Sequence, residues 1–350
     1  MAVTPGITAN SSARTRLAVL PTPLTAAPRL AAALGISGPL LVKRDDLTGF
    51  AVAGNKARQL EFLLADAAAE GADVLVTGGS AGSNFVQAAA AAAAYAGIRC
   101  VVVIAGLGPD AGRRRAPHPN LAAASAWGAE IRWTGDADRA SVDAALPVAA
   151  AHEESRGSRP YVVPRGGANA VGCEGYRLAF DELLTQLDED RLDGARLDGA
   201  RPTVVVAVGA GGTLAGLVAG AVARGRPCPI VGASVSRPSD EVGARVLGLA
   251  REVARAHGDE RPGADDVRIV DARGEGHGIA SAAGDTAAWA ALRCAGLVLD
   301  PVYTAKAMAV VPAVVGDGPA VFWHTGGLLD AVDGMVAGSE VIGSRARERT

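Results

Sequence analysis

Three lysines stand among the 34 basic residues of this 350-residue chain, and one of them, Lys56, follows Gly54 and Asn55. A guanidinium stays protonated at ordinary pH, whereas a desolvated ammonium can lose its proton and form a Schiff base. The scarcity of lysine therefore makes Lys56 a candidate covalent anchor. A solvated lysine on a helix surface is the alternative that stays open at this point.

A glycine-rich turn follows the apolar segment 203–208 and consists of Gly209, Ala210, Gly211, Gly212 and Thr213. Successive backbone N–H groups at such a turn, together with the dipole of a following helix, can hold a phosphate. A dinucleotide fingerprint would need glycine at Leu214, and the next apolar segment, 230–235, does not end in an acidic residue. The turn favours a monophosphate ligand, with a plain tight turn as the alternative.

Two further turns carry polar side chains. Ser83 and Asn84 open an alanine-rich helical segment, where they either cap the helix or hold a substrate carboxylate. Tyr303 and Thr304 stand where a loop enters another helical segment, and Thr325 begins a glycine turn after the apolar segment 320–323. From its residue type alone, Tyr303 could equally be a core side chain.

Repeated alternation of a short apolar segment, a glycine-rich turn and an alanine-rich helix predicts an α/β fold with mostly parallel sheets covered by helices. Hydrophobic residues make up 49% and aromatics 4% of the chain, so helices are expected to pack through small side chains.

Composition also excludes several classes of function. A net charge of −3 gives no basic footprint for nucleic acid. The apolar run 17–20 is too short for a signal peptide and the block 88–96 is too short for a membrane span, so we expect a soluble cytoplasmic protein. The four cysteines and five histidines show no metal-ligand spacing, so no metal is expected.

Together, these motifs resemble the pyridoxal-phosphate (PLP) enzymes of the tryptophan synthase β-subunit fold, called fold type II. The specific likeness is to the branch of 1-aminocyclopropane-1-carboxylate deaminase and D-cysteine desulfhydrase. The resemblance covers nearly the whole chain and rests on an ordered set of segments: 21–24, 42–49, 54–56, 83–84, 164–169, 175–176, 209–216, 300–306 and 325–327.

The resemblance implies a role for each candidate residue. Lys56 would carry PLP as a Schiff base and remove the α-proton of a bound amino acid, with Ser83 and Tyr303 also catalytic. The cofactor would be held by Asn55 at its 3-hydroxyl, by Gly209, Ala210, Gly211, Gly212 and Thr213 at its phosphate, by Thr304 at its pyridine nitrogen, and by Thr325. The substrate would contact Ser83, Asn84, Tyr303, His277 and Arg165.

Thr304 bears on the reaction because the cyclopropane deaminases have a glutamate there. A neutral hydroxyl makes PLP a weaker electron sink, which suits loss of the α-proton followed by departure of a good β-leaving group. The resemblance thus implies a carbon–sulfur lyase like D-cysteine desulfhydrase, which forms pyruvate and ammonium. Cyclopropane deamination, a non-catalytic binding protein and a nicotinamide-dependent oxidoreductase are less favoured alternatives.

Several residues depart from the family pattern, namely Gly82, Phe85, Gln87, Arg165, Ala168 and His277. Arg165 or His277 could pair with an acidic substrate side chain, which would suit an L-cysteate sulfo-lyase. An altered pocket could instead support β-replacement by an external nucleophile. Both residues could also lie in solvent salt bridges at the pocket rim.

The resemblance further implies two lobes with PLP in the cleft between them. Residues 1–59 and 162–350 would form the larger, cofactor-binding lobe, residues 60–161 the smaller lobe, and residues 339–350 a flexible tail. The expected ligand is a small amino acid, and the expected assembly is a homodimer.

Overall fold

The computed structural model describes residues 14–108, 118–188, 197 and 199–335. The expected tail, 339–350, lies outside these residues. The strands are β1 (Leu24–Ala26), β2 (Leu40–Arg44), β3 (Val74–Gly79), β4 (Arg99–Ile104), β5 (Glu130–Trp133), β6 (Pro160–Val162), β7 (Thr203–Val208), β8 (Ile230–Ser234), β9 (Arg268–Asp271) and β10 (Ala320–His324). The helices are α1 (Pro28–Leu34), α2 (Lys56–Ala69), α3 (Asn84–Ala96), α4 (Pro119–Ala126), α5 (Ala140–Ser155), α6 (Ala170–Asp188), α7 (Gly212–Ala223), α8 (Ser239–His257), α9 (Ala282–Ala295) and α10 (Thr304–Val315).

The strands form two sheets. The larger has the order β1-β2-β10-β7-β8-β9, and all its pairs are parallel except β1 with β2. The smaller has the order β5-β4-β3-β6 and is entirely parallel. Helices cover the sheets, as continuous apolar strands such as β7 require. The predicted α/β class is confirmed.

Small residues let the helices approach closely, as the composition predicts. At Gly216 in α7, an added Cβ would lie 2.2 Å from the carbonyl oxygen of Cys173 in α6. The two helices therefore pack backbone to backbone. In the smaller sheet region, the alanines at positions 88–93 of α3 and the ring of Phe85 are buried together.

Helix α2, which begins at Lys56, crosses the proposed lobe boundary between residues 59 and 60 and packs against both α6 and α3. A buried polar network fixes it. Asp45 accepts hydrogen bonds from Nε of Arg58 at 3.0 Å, the hydroxyl of Tyr176 at 2.6 Å and Nε1 of Trp323 at 2.8 Å. Arg58 also donates to Glu182 at 2.8 and 2.9 Å. The start of α2 is thereby anchored to β2, α6 and β10.

Among the described residues, no helix combines the length and the apolar character that crossing a membrane requires.

Candidate active site

A cavity lies where the carboxyl ends of β3 and β7 face each other. Parallel strands bring their following turns to the same edge, and residues far apart in the chain meet there. The cavity wall contains thirteen of the expected site residues: Asn55, Lys56, Ser83, Asn84, Arg165, Gly209, Ala210, Gly211, Gly212, Thr213, His277, Tyr303 and Thr325.

Lys56 is the first residue of α2, and its Nζ donates a hydrogen bond to Oε1 of Gln59 at 3.1 Å. Burial lowers the pKa of Lys56 to about 8. The preceding residue, Asn55, donates from Nδ2 to the hydroxyl of Thr213 at 3.0 Å and from its backbone N–H to the carbonyl of Thr325 at 3.0 Å. Lys56 is therefore held between the glycine turn and the turn after β10, with an amine that loses its proton readily.

The glycine turn leads directly into α7, whose N-cap is Gly211 in a left-handed conformation with φ of 95°. A Cβ at Gly209 would lie 2.9 Å from Cε1 of Tyr303, so this ring packs on the bare backbone of the turn. The start of a twelve-residue helix presents free N–H groups and a positive dipole end. The turn has the form of a phosphate cradle.

Tyr303 is the N-cap residue of α10, and its ring meets that of His277 edge to face at 6.0 Å between centroids. Burial raises the pKa of Tyr303 above its ordinary value, and the carboxylates of Asp300 and Asp330 add to this rise. The phenol therefore keeps its proton and can donate a hydrogen bond.

Thr304 is the first residue of α10 and directly follows Tyr303 of the cavity wall, and its contact with the cofactor ring stays a prediction. It is fully buried, and its hydroxyl bonds Oδ2 of Asp300 at 2.6 Å. Asp300 lines the cavity and accepts backbone hydrogen bonds from Val302, Tyr303 and Thr304 at 2.7–3.0 Å. Burial raises the pKa of Asp300, and the hydrogen bonds from Thr304, Tyr303 and Val302 oppose that rise. Sequence reasoning missed Asp300, although an aspartate that accepts a hydrogen bond from the N–H group two residues on is typical of the turns that precede helices.

Ser83 and Asn84 have different roles at the start of α3. Ser83 is the N-cap and accepts a hydrogen bond from the N–H of Val86 at 3.4 Å, so the capping explanation holds for its side chain. Oδ1 of Asn84 is buried and has no hydrogen-bond partner among the described residues. Because buried polar atoms are usually paired, Asn84 is the residue of this pair with an unused contact for a ligand.

His277 and Arg165 differ from the charged pair that an acidic substrate would need. Burial, followed by the charges of Arg139 and Lys306, lowers the pKa of His277 to about 4, so its ring is neutral. Its Nδ1 is buried without a partner in the described part of the chain. Arg165 forms a two-pronged ion pair with Asp143 at 2.7 and 2.5 Å. Arg165 thus forms the salt bridge that one alternative expected, and its contact with a substrate stays a prediction.

Three arginines in the cavity wall were missed by sequence reasoning: Arg139, Arg237 and Arg245. They come from the turn before α5, the turn after β8 and the helix α8. In a chain whose basic residues are nearly all arginine, no spacing or composition distinguishes these three from surface residues.

The residues at this cavity fit PLP. The phosphate cradle cannot accept a side chain at Gly209, the amine of Lys56 has a lowered pKa, and Asn84 and His277 present buried polar atoms without partners. No cluster of histidine, cysteine, aspartate or glutamate that could hold a metal occurs in residues 14–108, 118–188, 197 and 199–335.

Comparisons with known proteins agree with this geometry. The model of the family described as pyridoxal-phosphate dependent enzyme matches residues 15–326. D-cysteine desulfhydrases of Salmonella typhi and Salmonella newport are each 36% identical over 321 residues, which is 90% of this chain and 94% of theirs. The crystal structure of an ACC deaminase homologue matches with a TM-score of 0.80 and 29% identity, covering 91% of this chain and 92% of that one. Maize serine racemase, at 18% identity and a TM-score of 0.63 over 93% of both chains, shares the fold.

Proposed function

Because the chain belongs to the family of pyridoxal-phosphate-dependent enzymes, with a fold of type II and PLP as its cofactor, we propose that it is a lyase acting on a cysteine-like amino acid. In this proposal the enzyme eliminates the β-substituent and forms pyruvate, ammonium and a sulfur product. D-cysteine is the first substrate to test, since D-cysteine desulfhydrases are similar to this chain over 90% of its length.

The observation that carries the proposal is the amine of Lys56 in a cavity shared with a phosphate cradle and the phenol of Tyr303. PLP, when bound, withdraws electrons from the α-carbon of an attached amino acid and so makes the α-proton acidic. Lys56 is the base that takes this proton, because its lowered pKa leaves the amine free to accept it.

Other residues of the wall position the substrate. The backbone N–H groups at the start of α3 and the side-chain amide of Asn84, whose Oδ1 has no partner among the described residues, bind the carboxylate of the amino acid. If the Asn84 amide is rotated by half a turn, it presents its NH₂ group to the carboxylate instead. In this proposal the phenol of Tyr303, which lines the cavity and keeps its proton, donates that proton to the departing β-substituent.

The surroundings of Thr304 favour elimination over ring opening. The hydroxyl of Thr304 is neutral, and the oxygens of the nearby Asp300 side chain are occupied by hydrogen bonds from that hydroxyl and from the backbone N–H groups of residues 302–304. In this proposal, no ionised side chain holds a proton on the pyridine nitrogen. A weaker electron sink is sufficient when a good leaving group departs from the β-carbon.

The overall reaction for D-cysteine consumes one water and yields pyruvate, ammonium and hydrogen sulfide. The α-C–H and β-C–S bonds break, and the electron pair of the C–H bond becomes the second bond between the two carbons. The sulfur leaves with the C–S electron pair and takes up a proton. Hydrolysis of the resulting enamine, in water, gives pyruvate and ammonium.

The test is pyruvate release by the PLP-loaded protein across D- and L-cysteine, D-serine, both β-chloroalanines and 1-aminocyclopropane-1-carboxylate. Pyruvate from a cysteine or β-chloroalanine would support the proposal and fix the handedness. The cyclopropane substrate would give 2-oxobutanoate instead and would indicate a deaminase. A spectral change with every β-substituted substrate but no keto acid would refute elimination and favour β-replacement.

A further inference from the structure

The wall of the active-site cavity carries more positive charge than PLP and an amino acid use. Among the described residues, the wall contains Lys56 and four arginines, against the single acidic side chain of Asp300. The glycine turn with the start of α7 already provides a site for the cofactor phosphate, and the start of α3 provides one for the substrate carboxylate. The arginines therefore indicate a further anion.

Three of the four arginines have other bonds. Arg165 is paired with Asp143, and Arg237 is paired with Glu241. Arg245 donates from Nε to the carbonyl of Ala210 at 2.8 Å, on the turn that forms the phosphate cradle. Arg139 differs: it is half-buried, and among the described residues it has no carboxylate partner.

Arg139 lies at the Tyr303 end of the cavity. Its Nη2 donates to the carbonyl of Ser236 at 3.3 Å, and the hydroxyl of Ser236 donates to the carbonyl of Gly209 at 3.3 Å. Gly209 is the residue on which the Tyr303 ring packs. His277 lines the same cavity, and its ring meets that of Tyr303 edge to face.

We propose that Arg139 selects a substrate whose β-substituent is itself an anion, a sulfonate or a phosphate ester. In this proposal the neutral ring of His277 carries its proton on Nδ1, which has no partner among the described residues, and donates a hydrogen bond from it to the same group. Arginine suits this task because its planar fork matches tetrahedral oxyanions and stays charged when half-buried. This inference rests on the proposed elimination and narrows its substrate class.

For the sulfonate, the balanced reaction is cysteate plus water to pyruvate, bisulfite and ammonium. The α-C–H and β-C–S bonds break, and the sulfur group leaves with the C–S electron pair as sulfite. The phosphate ester, O-phosphoserine, reacts in the same way with inorganic phosphate as the leaving group. Neither reaction needs an oxidant or a reductant.

The experiment measures pyruvate release by the PLP-loaded protein from cysteate, O-phosphoserine, cysteine and β-chloroalanine, each in both configurations. We expect kcat/KM for cysteate or O-phosphoserine to exceed that for cysteine, and the preferred member identifies the anion. In Arg139→Met, kcat/KM for that substrate should fall about 10-fold to 100-fold, mainly through KM, because a charged hydrogen bond is lost. For β-chloroalanine, the change should stay below about threefold.

The matched control is Arg224→Met, which removes the same charge from an exposed ion pair with Asp181. In this control variant, kcat/KM should be unchanged both for the preferred anionic substrate and for β-chloroalanine. A second readout does not depend on turnover: calorimetric binding of 3-sulfopropanoate, which lacks the amine, should be tighter than that of propanoate in the wild type. This difference should disappear in Arg139→Met and persist in Arg224→Met.

Either of two turnover results would overturn the inference: a preference for cysteine over both anionic substrates, or an equal loss of kcat/KM with β-chloroalanine in Arg139→Met. A fall in PLP affinity in that variant, measured by absorbance titration, would also overturn it by assigning Arg139 to the cofactor. β-Chloroalanine, whose β-substituent needs no positively charged partner, separates the proposed elimination from the proposed selection of an anionic substrate. Pyruvate from β-chloroalanine alone leaves elimination standing and refutes the anion, whereas no pyruvate from any substrate refutes elimination itself.

Discussion

The amine of Lys56 combines two properties that a Schiff-base lysine needs, access to the cavity and a lowered pKa. Burial also lowers the pKa of Lys43 and Lys306, but neither of these two lysines lines the cavity. Lys43 is fully buried and bonded to Glu182 and Gln186, and Lys306 donates to the carbonyls of Arg273 and Gly276. Borohydride reduction of the PLP-loaded protein should therefore fix the cofactor on Lys56 alone.

The pKa of Lys56 predicts how cofactor attachment depends on pH. At pH 7 an amine with a pKa of about 8 is neutral in about a tenth of the molecules, against about one in 3,000 for an ordinary lysine. We expect the rate of PLP attachment to the stripped protein to rise up to about pH 8 and then level off. Stopped-flow absorbance measures this rate, and a rise that continues to about pH 10 would contradict the lowered pKa.

At the scale of secondary-structure elements, the site depends on how the glycine turn meets α10. The ring of Tyr303 packs on the backbone at Gly209. Asp300 accepts a hydrogen bond from the backbone N–H of Tyr303 and so holds this residue at the start of α10. The turn after β7 thus positions both the phosphate cradle and the phenol. A change at this contact affects cofactor and substrate together.

Gly209→Ala tests this contact. The new methyl group would lie 2.9 Å from Cε1 of Tyr303, so the ring or the turn must shift. We expect weaker PLP binding and a loss of about 10-fold to 100-fold in kcat/KM, as small misplacements of reacting groups cause. The matched control is Gly248→Ala, an exposed site in α8 where nothing lies within 4 Å. It should keep full activity and gain about 0.5–1 kcal/mol of stability. Equal activity of both variants would contradict the account.

The strands before glycine turns could be predicted from sequence because their apolar runs and turn residues are local signals. The strands β7, β8 and β10 begin and end within one residue of the apolar segments 203–208, 230–235 and 320–323. The orientation of the Thr304 hydroxyl could not be predicted from sequence, because it depends on the hydrogen bonds that Thr304 donates to Asp300. The proposed role of Arg139 could not be predicted from sequence. It depends on the positions of Ser236 and His277, which lie about 100 residues or more away in the chain.

At the scale of the whole molecule, the buried network around Asp45 and Arg58 joins α2 to both β2 and β10 of the larger sheet and to α6. Burial alone would raise the pKa of Asp45, but Arg58, Tyr176 and Trp323 hold it below its ordinary value. The carboxylate is therefore ionised and fully paired. This network sets the position of the helix that begins with Lys56.

Arg58→Met would leave the carboxylates of Asp45 and Glu182 without their main partner. We expect the free energy of unfolding to fall by about 3–5 kcal/mol, since an unpaired buried charge is costly. Denaturation in guanidinium chloride measures it. Arg224→Met, which breaks an exposed pair, should cost at most about 1 kcal/mol. Similar losses in the two variants would show that the network does not fix α2.

The central claim is that Lys56 removes the α-proton in a β-elimination, and pyruvate release from both configurations of β-chloroalanine tests it most directly. The PLP-loaded wild type should release pyruvate from one configuration, and Lys56→Ala loaded with PLP should be slower by about 10²-fold to 10⁴-fold, the usual contribution of a catalytic base. A wild type that carries PLP on Lys56 and releases no pyruvate would contradict the claim. A variant that matches the wild-type rate would contradict it equally.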